Sequence, residues 1–168
     1  SIGDVNAGVY GPANPVYMRN LLHALERNRA ASGLENYHTV TEATHWSGTY
    51  VTGSSPELIL QYQVPMVDIE VGSEEESWSD RTACKALADA LTQVFDSDEK
   101  HIRNILCFGG VHFDPNFAQA VFTEWEDEAF GISHIIANQW LVSGEYENEH
   151  GLALASAAVD AIAGGIEA

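Results

Sequence analysis

Four side chains in this sequence could do hydrolytic chemistry if the fold brought them together: His45, Glu70, His112 and His134. Each stands at or just past the C-terminal end of a segment that reads as a separate β-strand. Parallel strands would gather all four at one edge of a sheet, where open α/β folds place their ligands. Imidazoles beside a carboxylate suit two chemistries. They can hold a zinc ion with an open coordination position, which lowers the pKa of bound water to about 7. Without metal, one imidazole can act as general base and another can stabilise an oxyanion, with Glu70 orienting a ring. The sequence contains neither HExxH nor CxxC, so spacing alone does not choose between them. His23, His38, His101 and His150 fall on helices, a strand start or loops with no converging partner.

The elements that must position these residues follow from periodicity. Val67, Ile69 and Val71 alternate with Asp68 and Glu70, which predicts a strand with one apolar face, turning at Gly72. Ser73 and Glu76 have the spacing of a capping box, so a helix is expected to open there. Trp78, Cys84, Leu87, Ala88, Leu91, Val94 and Phe95 would form its apolar stripe. Tyr37–Thr44 is β-branched and aromatic, and Arg103–Gly110 is a continuous apolar run closed by two glycines; both read as strands, as does Ala129–Ile132. Helices are expected over Val16–Ala31, with Pro15 in the first turn and Gly33 as the stop, over Pro115–Glu124 and over Leu152–Ile162. The stretch from Trp46 to Gln63 reads as a long loop.

Strands alternating with helices imply a single α/β domain over residues 1–168, its first 14 residues a loop-rich segment. The expected architecture is a three-layer α/β/α sandwich on a largely parallel or mixed sheet. A chain of this length buries about two-thirds of its unfolded surface, so neither disulfide nor metal is needed for folding. Cys84 and Cys107 read as small core hydrophobes of a reducing compartment. No apolar run reaches the roughly 20 residues of a transmembrane helix and no signal-like segment appears, which points to the cytoplasm.

Charge is the loudest feature of the composition. Twenty-five acidic residues against 7 basic give a formal net charge of −18, and only Lys85 and Lys100 are lysines. An acidic, Lys-poor surface fits a halophilic cytosol. In dilute buffer it would repel nucleic acid. At molar salt the Debye length falls to about 3 Å and local contacts decide instead. Arg19, Arg27 and Arg29 make the first helix the most basic, either as surface cations or as a phosphate-contacting face.

Four stretches taken together carry a resemblance: TEATH (Thr41–His45), VPMVDIEVGSEEESW (Val64–Trp78), GGVHF (Gly109–Phe113) and Ser133-His134-Ile135. In that order they resemble the motifs of the archaeal and plant D-aminoacyl-tRNA deacylases, roughly EATHHGP, VPSxFVEIGSxEExW, GGGHY and GHI. Trp46 stands where that family has a second histidine, Val111 and Ser133 where it has glycines, and about the first third of the family's length has no counterpart. The resemblance implies a phosphorylase/hydrolase-like α/β/α fold and hydrolysis of the ester joining a D-amino acid to tRNA. It also implies His45, Glu70, His112 and His134 as catalytic residues and zinc held by His45, Glu70 and His112. Substrate contacts are implied for Glu42, Trp46, Gly109, Gly110 and Phe113, with aminoacyl-tRNA or another small ester as the partner. Two other readings share the scaffold: a small-molecule hydrolase, and a non-catalytic binding domain.

Overall fold

The computed structural model describes residues 1–46, 61–96, 101–123, 125, 128–147 and 149–166. In chain order these form β1 (Gly3–Asp4), β2 (Val9–Tyr10), α1 (Pro15–Ala31), β3 (Thr41–Glu42), α2 (Glu75–Ser79), α3 (Arg81–Leu91), β4 (Ile102–Phe108), β5 (Phe113–Asp114), α4 (Pro115–Phe122), β6 (Ala129–Ile136), α5 (Asn138–Val142), a 3-10 turn at Glu145–Glu147 and α6 (Glu149–Asp160). Most of the expected loop between Trp46 and Gln63 lies outside the described residues.

The centre is β6, AFGISHII, every residue of which is buried except the half-buried Phe130. It pairs in parallel with β4, from Ile102 opposite Ala129 to Phe108 opposite Ile136, with one irregularity between Ile105 and Cys107. A strand this apolar must be covered on both sides. On one side Ile132 and Ile135 pack with Met18 and Leu22 of α1, Val121 of α4, and Cys107. On the other, Ile136 packs with Tyr10, Trp140 of α5, and Leu154 and Ala158 of α6. Helices on both faces of a mixed set of strands make the three-layer α/β/α arrangement; β1–β2 and β3–β5 are antiparallel pairs.

Two local features seat α1 on β6. Asn14 caps the helix by accepting from the Val16 and Tyr17 amides, and Pro15 fills the first helical position. The Pro15 carbonyl then comes so close to Gly131 that a Cβ there would lie 2.5 Å from its oxygen, so only glycine admits this approach.

The structure corrects several expectations. Among the described residues, 64–71 form no strand, and of Tyr37–Thr44 only Thr41–Glu42 does. The helix expected from Ser73 to Phe95 is two helices. Glu74, not Ser73, precedes the first, and no side chain caps it. Asp80 is extended and accepts from the Thr82 and Ala83 amides, which ends α2 and starts α3. The buried face of α3 is Ala83, Ala86 and Ala90, while Trp78, Leu91, Phe95 and Cys84 are exposed. The reason lies in α1: Ala24 and Ala90 are both fully buried where the helices meet, and small residues allow a close approach that larger ones would block. Cys107 is the buried cysteine, and burial pushes its thiol up to about 12. No helix among the described residues is long and apolar enough to cross a membrane.

Candidate functional site

Residues 41–45 join the outer β3–β5 pair to the central strand. Glu42 pairs with Phe113 in the antiparallel register, and the Ala43 amide donates to the His112 carbonyl at 2.7 Å. One residue on, the Thr44 amide donates to the Ile135 carbonyl of β6, and the His45 carbonyl accepts from Gly3. This backbone lattice places Glu42 and His45 beside His112. His112 is delivered from the other side by a turn at Gly109 and Gly110, whose φ values are +99° and +73°. The turn is closed by Asp114, which accepts from the Val111 and Asn116 amides. A Cβ on Gly110 would meet the Asp114 carboxylate at 2.7 Å.

The outcome is a compact cluster. His112 Nε2 lies 3.0 Å from Glu42 Oε1, and His45 Nδ1 lies 3.6 Å from the same oxygen. The two imidazoles meet edge to face at 5.1 Å, and Phe113 stacks edge-on against His112 at 4.7 Å. On its far side, His45 Nε2 faces Asp68 Oδ2 at 3.5 Å. Burial pushes the Glu42 carboxyl above its usual range; neighbouring Glu70 and Asp68 push the same way, against the pull of His45 and His112.

Ligand atoms of Glu42, His45 and His112 lie within 4.8 Å of one another. Donors around a tetrahedral zinc at its usual bond lengths sit about 3.4 Å apart. The separations of 3.0 Å and 3.6 Å to Glu42 bracket that value, and two imidazoles with a carboxylate are donor types that such an ion takes.

Glu42 and Asp68 of this group also line a cleft of about 780 Å³ between α1, residues 37–42, residues 67–77 and α3. Its apolar wall includes Met18, Leu21, Leu25, Val67 and Leu87, while Glu42, Asp68, Glu70 and Phe113 lie at the polar side. A floor of this kind takes an apolar group and leaves a polar bond at the carboxylates.

The residues singled out from sequence are distributed as follows. His45 and His112 come together, and Glu42 joins them as the carboxylate. Glu70 is exposed on the cleft wall and is not in the cluster, because the segment carrying it is not a strand and does not turn it inward. His134 is fully buried in β6, with Thr44 Oγ1 at 3.1 Å from Nδ1, the Gly11 carbonyl at 3.1 Å from Nε2, and Tyr10 against its edge. It is a core residue, separate from the cluster. Gly109 and Gly110 shape the turn, Phe113 lines the cleft, and half-buried Trp46 does not line it. Arg19 is buried with Nη1 donating to the Val121 carbonyl, and Arg27 and Arg29 engage Gln93 and Glu26, so the three are not one phosphate-binding face. Asp68 was legible only as an alternating carboxylate, and Glu42 only as a substrate contact implied by the family motif.

Comparison with known proteins identifies the family. The sequence pattern of a family described as D-aminoacyl-tRNA deacylase matches residues 6–164. A D-aminoacyl-tRNA deacylase of Saccharolobus solfataricus is 32% identical over 108 residues, covering 63% of this chain and 38% of that protein. One of Haloarcula marismortui is 29% identical over 138 residues, covering 78% of this chain and 26% of that protein. The chain thus spans well under half the length of these relatives. The crystal structure of a conserved protein of unknown function matches with a TM-score of 0.57 at 20% identity, over 89% of this chain and 54% of that one, a likeness of fold.

Proposed function

Because the chain belongs to the D-aminoacyl-tRNA deacylase family, we propose that it hydrolyses the ester linking a D-amino acid to tRNA, using Glu42, His45 and His112. The observation that carries this reading is the Glu42–His112 pair at 3.0 Å on the edge of an apolar-walled cleft. The cleft receives the amino-acid side chain, and the scissile ester lies at the carboxylate and imidazoles. A neutral imidazole there can take a proton from an attacking water and return it to the departing ribose hydroxyl. Half-exposed His112 is open to solvent for that exchange, while Glu42 accepts its N–H and fixes the ring.

Glu42, His45 and His112 would also hold zinc. When bound, zinc would supply Lewis-acid polarisation of an ester carbonyl. The acidic composition favours a halophilic, cytoplasmic enzyme: weak screening leaves its carboxylates repelling one another. Equal melting temperatures in about 2 M and about 50 mM KCl would remove that part of the reading.

The test is hydrolysis of D-aminoacyl-tRNA at molar salt with zinc supplied. Glu42→Gln and His112→Ala should each reduce the rate at least about a hundredfold, the low end of what a positioned acid or base contributes. The double variant should be little slower than either single one, since residues acting as a unit are strongly non-additive. A wild type without deacylation, or losses that multiply, would put the cluster outside catalysis.

A further inference from the structure

Both ring nitrogens of His45 face acceptors. Nδ1 looks onto the Ala43 carbonyl at 3.1 Å and Glu42 Oε1 at 3.6 Å, and Nε2 onto Asp68 Oδ2 at 3.5 Å. A neutral imidazole has one N–H, so it can satisfy only one of these sides. The other lone pair must then face an oxygen, unless a positive charge stands between them.

We propose that Asp68 is the positioning residue of this site: it accepts the Nε2–H of His45 and so turns the Nδ1 lone pair toward the space shared by Glu42 and His112. A carboxylate is a stronger acceptor than a peptide carbonyl, by roughly a factor of two in hydrogen-bond strength, which favours the proton on Nε2. The 3.5 Å separation closes to hydrogen-bond length with a shift of a few tenths of an ångström. Both side chains retain 29% of their exposure, and Asp68 sits on an unpaired segment, so neither is locked against that shift. This is the arrangement in which a metal-ligating histidine is held by an outer carboxylate through its second nitrogen. A cation on Nδ1 then removes the conflict with Glu42 and the Ala43 carbonyl. Glu70, though it neighbours Asp68 in sequence, is exposed and makes no such contact among the described residues.

The affinity part of this proposal rests on the zinc reading above; the tautomer part does not. The experiment therefore measures both on wild type, Asp68→Asn and, as a second variant should the first not fold, Asp68→Ser. Zinc affinity is read by chelator competition. The tautomer of His45 is read from its ring nitrogen shifts by NMR at alkaline pH, where imidazoles are neutral. Wild type should hold His45 with the proton on Nε2. Asp68→Asn should move it to Nδ1, against the Ala43 carbonyl, and weaken zinc binding about 10- to 100-fold with the melting temperature little changed. His150→Ala, remote from the cluster, should alter neither reading. Unchanged tautomer in Asp68→Asn overturns the proposal, even if zinc binding falls through the lost charge alone. A wild type that binds no zinc removes the zinc reading, and the tautomer shift by itself then decides the role of Asp68.

Discussion

On β6, His134 is fully buried with an oxygen at each ring nitrogen; on the β3–β5 rim, His112 is half-exposed against Glu42. Both lie in motifs that sequence reading had grouped into one site. In the core, burial pushes His134 down to about 4, so it is neutral and its value lies in packing and hydrogen bonding. At the rim, the backbone lattice of residues 41–45 and the Gly109-Gly110 turn hold His112 against Glu42, which lines the cleft. A histidine becomes available for chemistry through what its surroundings leave unsatisfied, and in the core both ring nitrogens of His134 are already engaged.

The sharpest break of this comparison is His134→Ala. It opens a cavity beside Tyr10 and leaves the Gly11 carbonyl without its imidazole partner, while Thr44 Oγ1 keeps only its bond from the Ile135 amide, so it should destabilise by about 2–5 kcal/mol in denaturant titration. His112→Ala, with half its side chain in solvent, should leave stability within about 0.5 kcal/mol while removing activity. Equal stability losses in the two variants would erase the distinction.

The same contrast appears with pH. The folded value of about 4 for His134 lies below its unfolded value of about 6.5, so the unfolded chain takes up a proton that the folded one refuses. Stability from this source is complete above pH 6.5 and is lost as pH falls toward 4, by an amount on the order of 3 kcal/mol. His134→Gln should flatten that part of the stability curve, measured by melting against pH. A slope unchanged in the variant would assign it to the carboxylates.

A smaller effect separates the two helix starts. Asn14→Ala removes the cap that seats α1 on β6 and should cost about 0.5–2 kcal/mol. Ser73→Ala on the cleft side should cost nothing measurable, because Ser73 caps no helix. The reverse order in chemical denaturation would mean that the 72–79 corner is the better-anchored of the two.

Much of the core was legible in sequence because local physics specifies it. The apolar run of β4, Pro15 at the helix start and the small residues of α6 all gave elements of the right type, within a few residues of their bounds. The site was legible in part: the motif residues Glu42, His45 and His112 come together, and the spacing of Glu42 and His45 follows from their being on one short segment. Periodicity failed where tertiary contacts overrode it. The alternation of Val67 to Val71 imitates a strand, yet no strand among the described residues pairs with it; Glu70 is exposed and Asp68 faces His45. The large apolar residues of residues 78–95 imitate a core stripe, yet the fully buried face of α3 against α1 is alanine, with Val94 only partly buried beside it and Trp78 and Leu91 exposed.

Sequence by itself determined the α/β class, the acidic balance and two of the clustered side chains, His45 and His112, because these follow from composition, period and motif. Only the tertiary structure decided which histidine joins the exposed cluster and which is core. That choice depends on burial and on the partners of each ring nitrogen, and those partners, Gly11 and Thr44 for His134 and Glu42 for His112, come from chain segments far away in sequence.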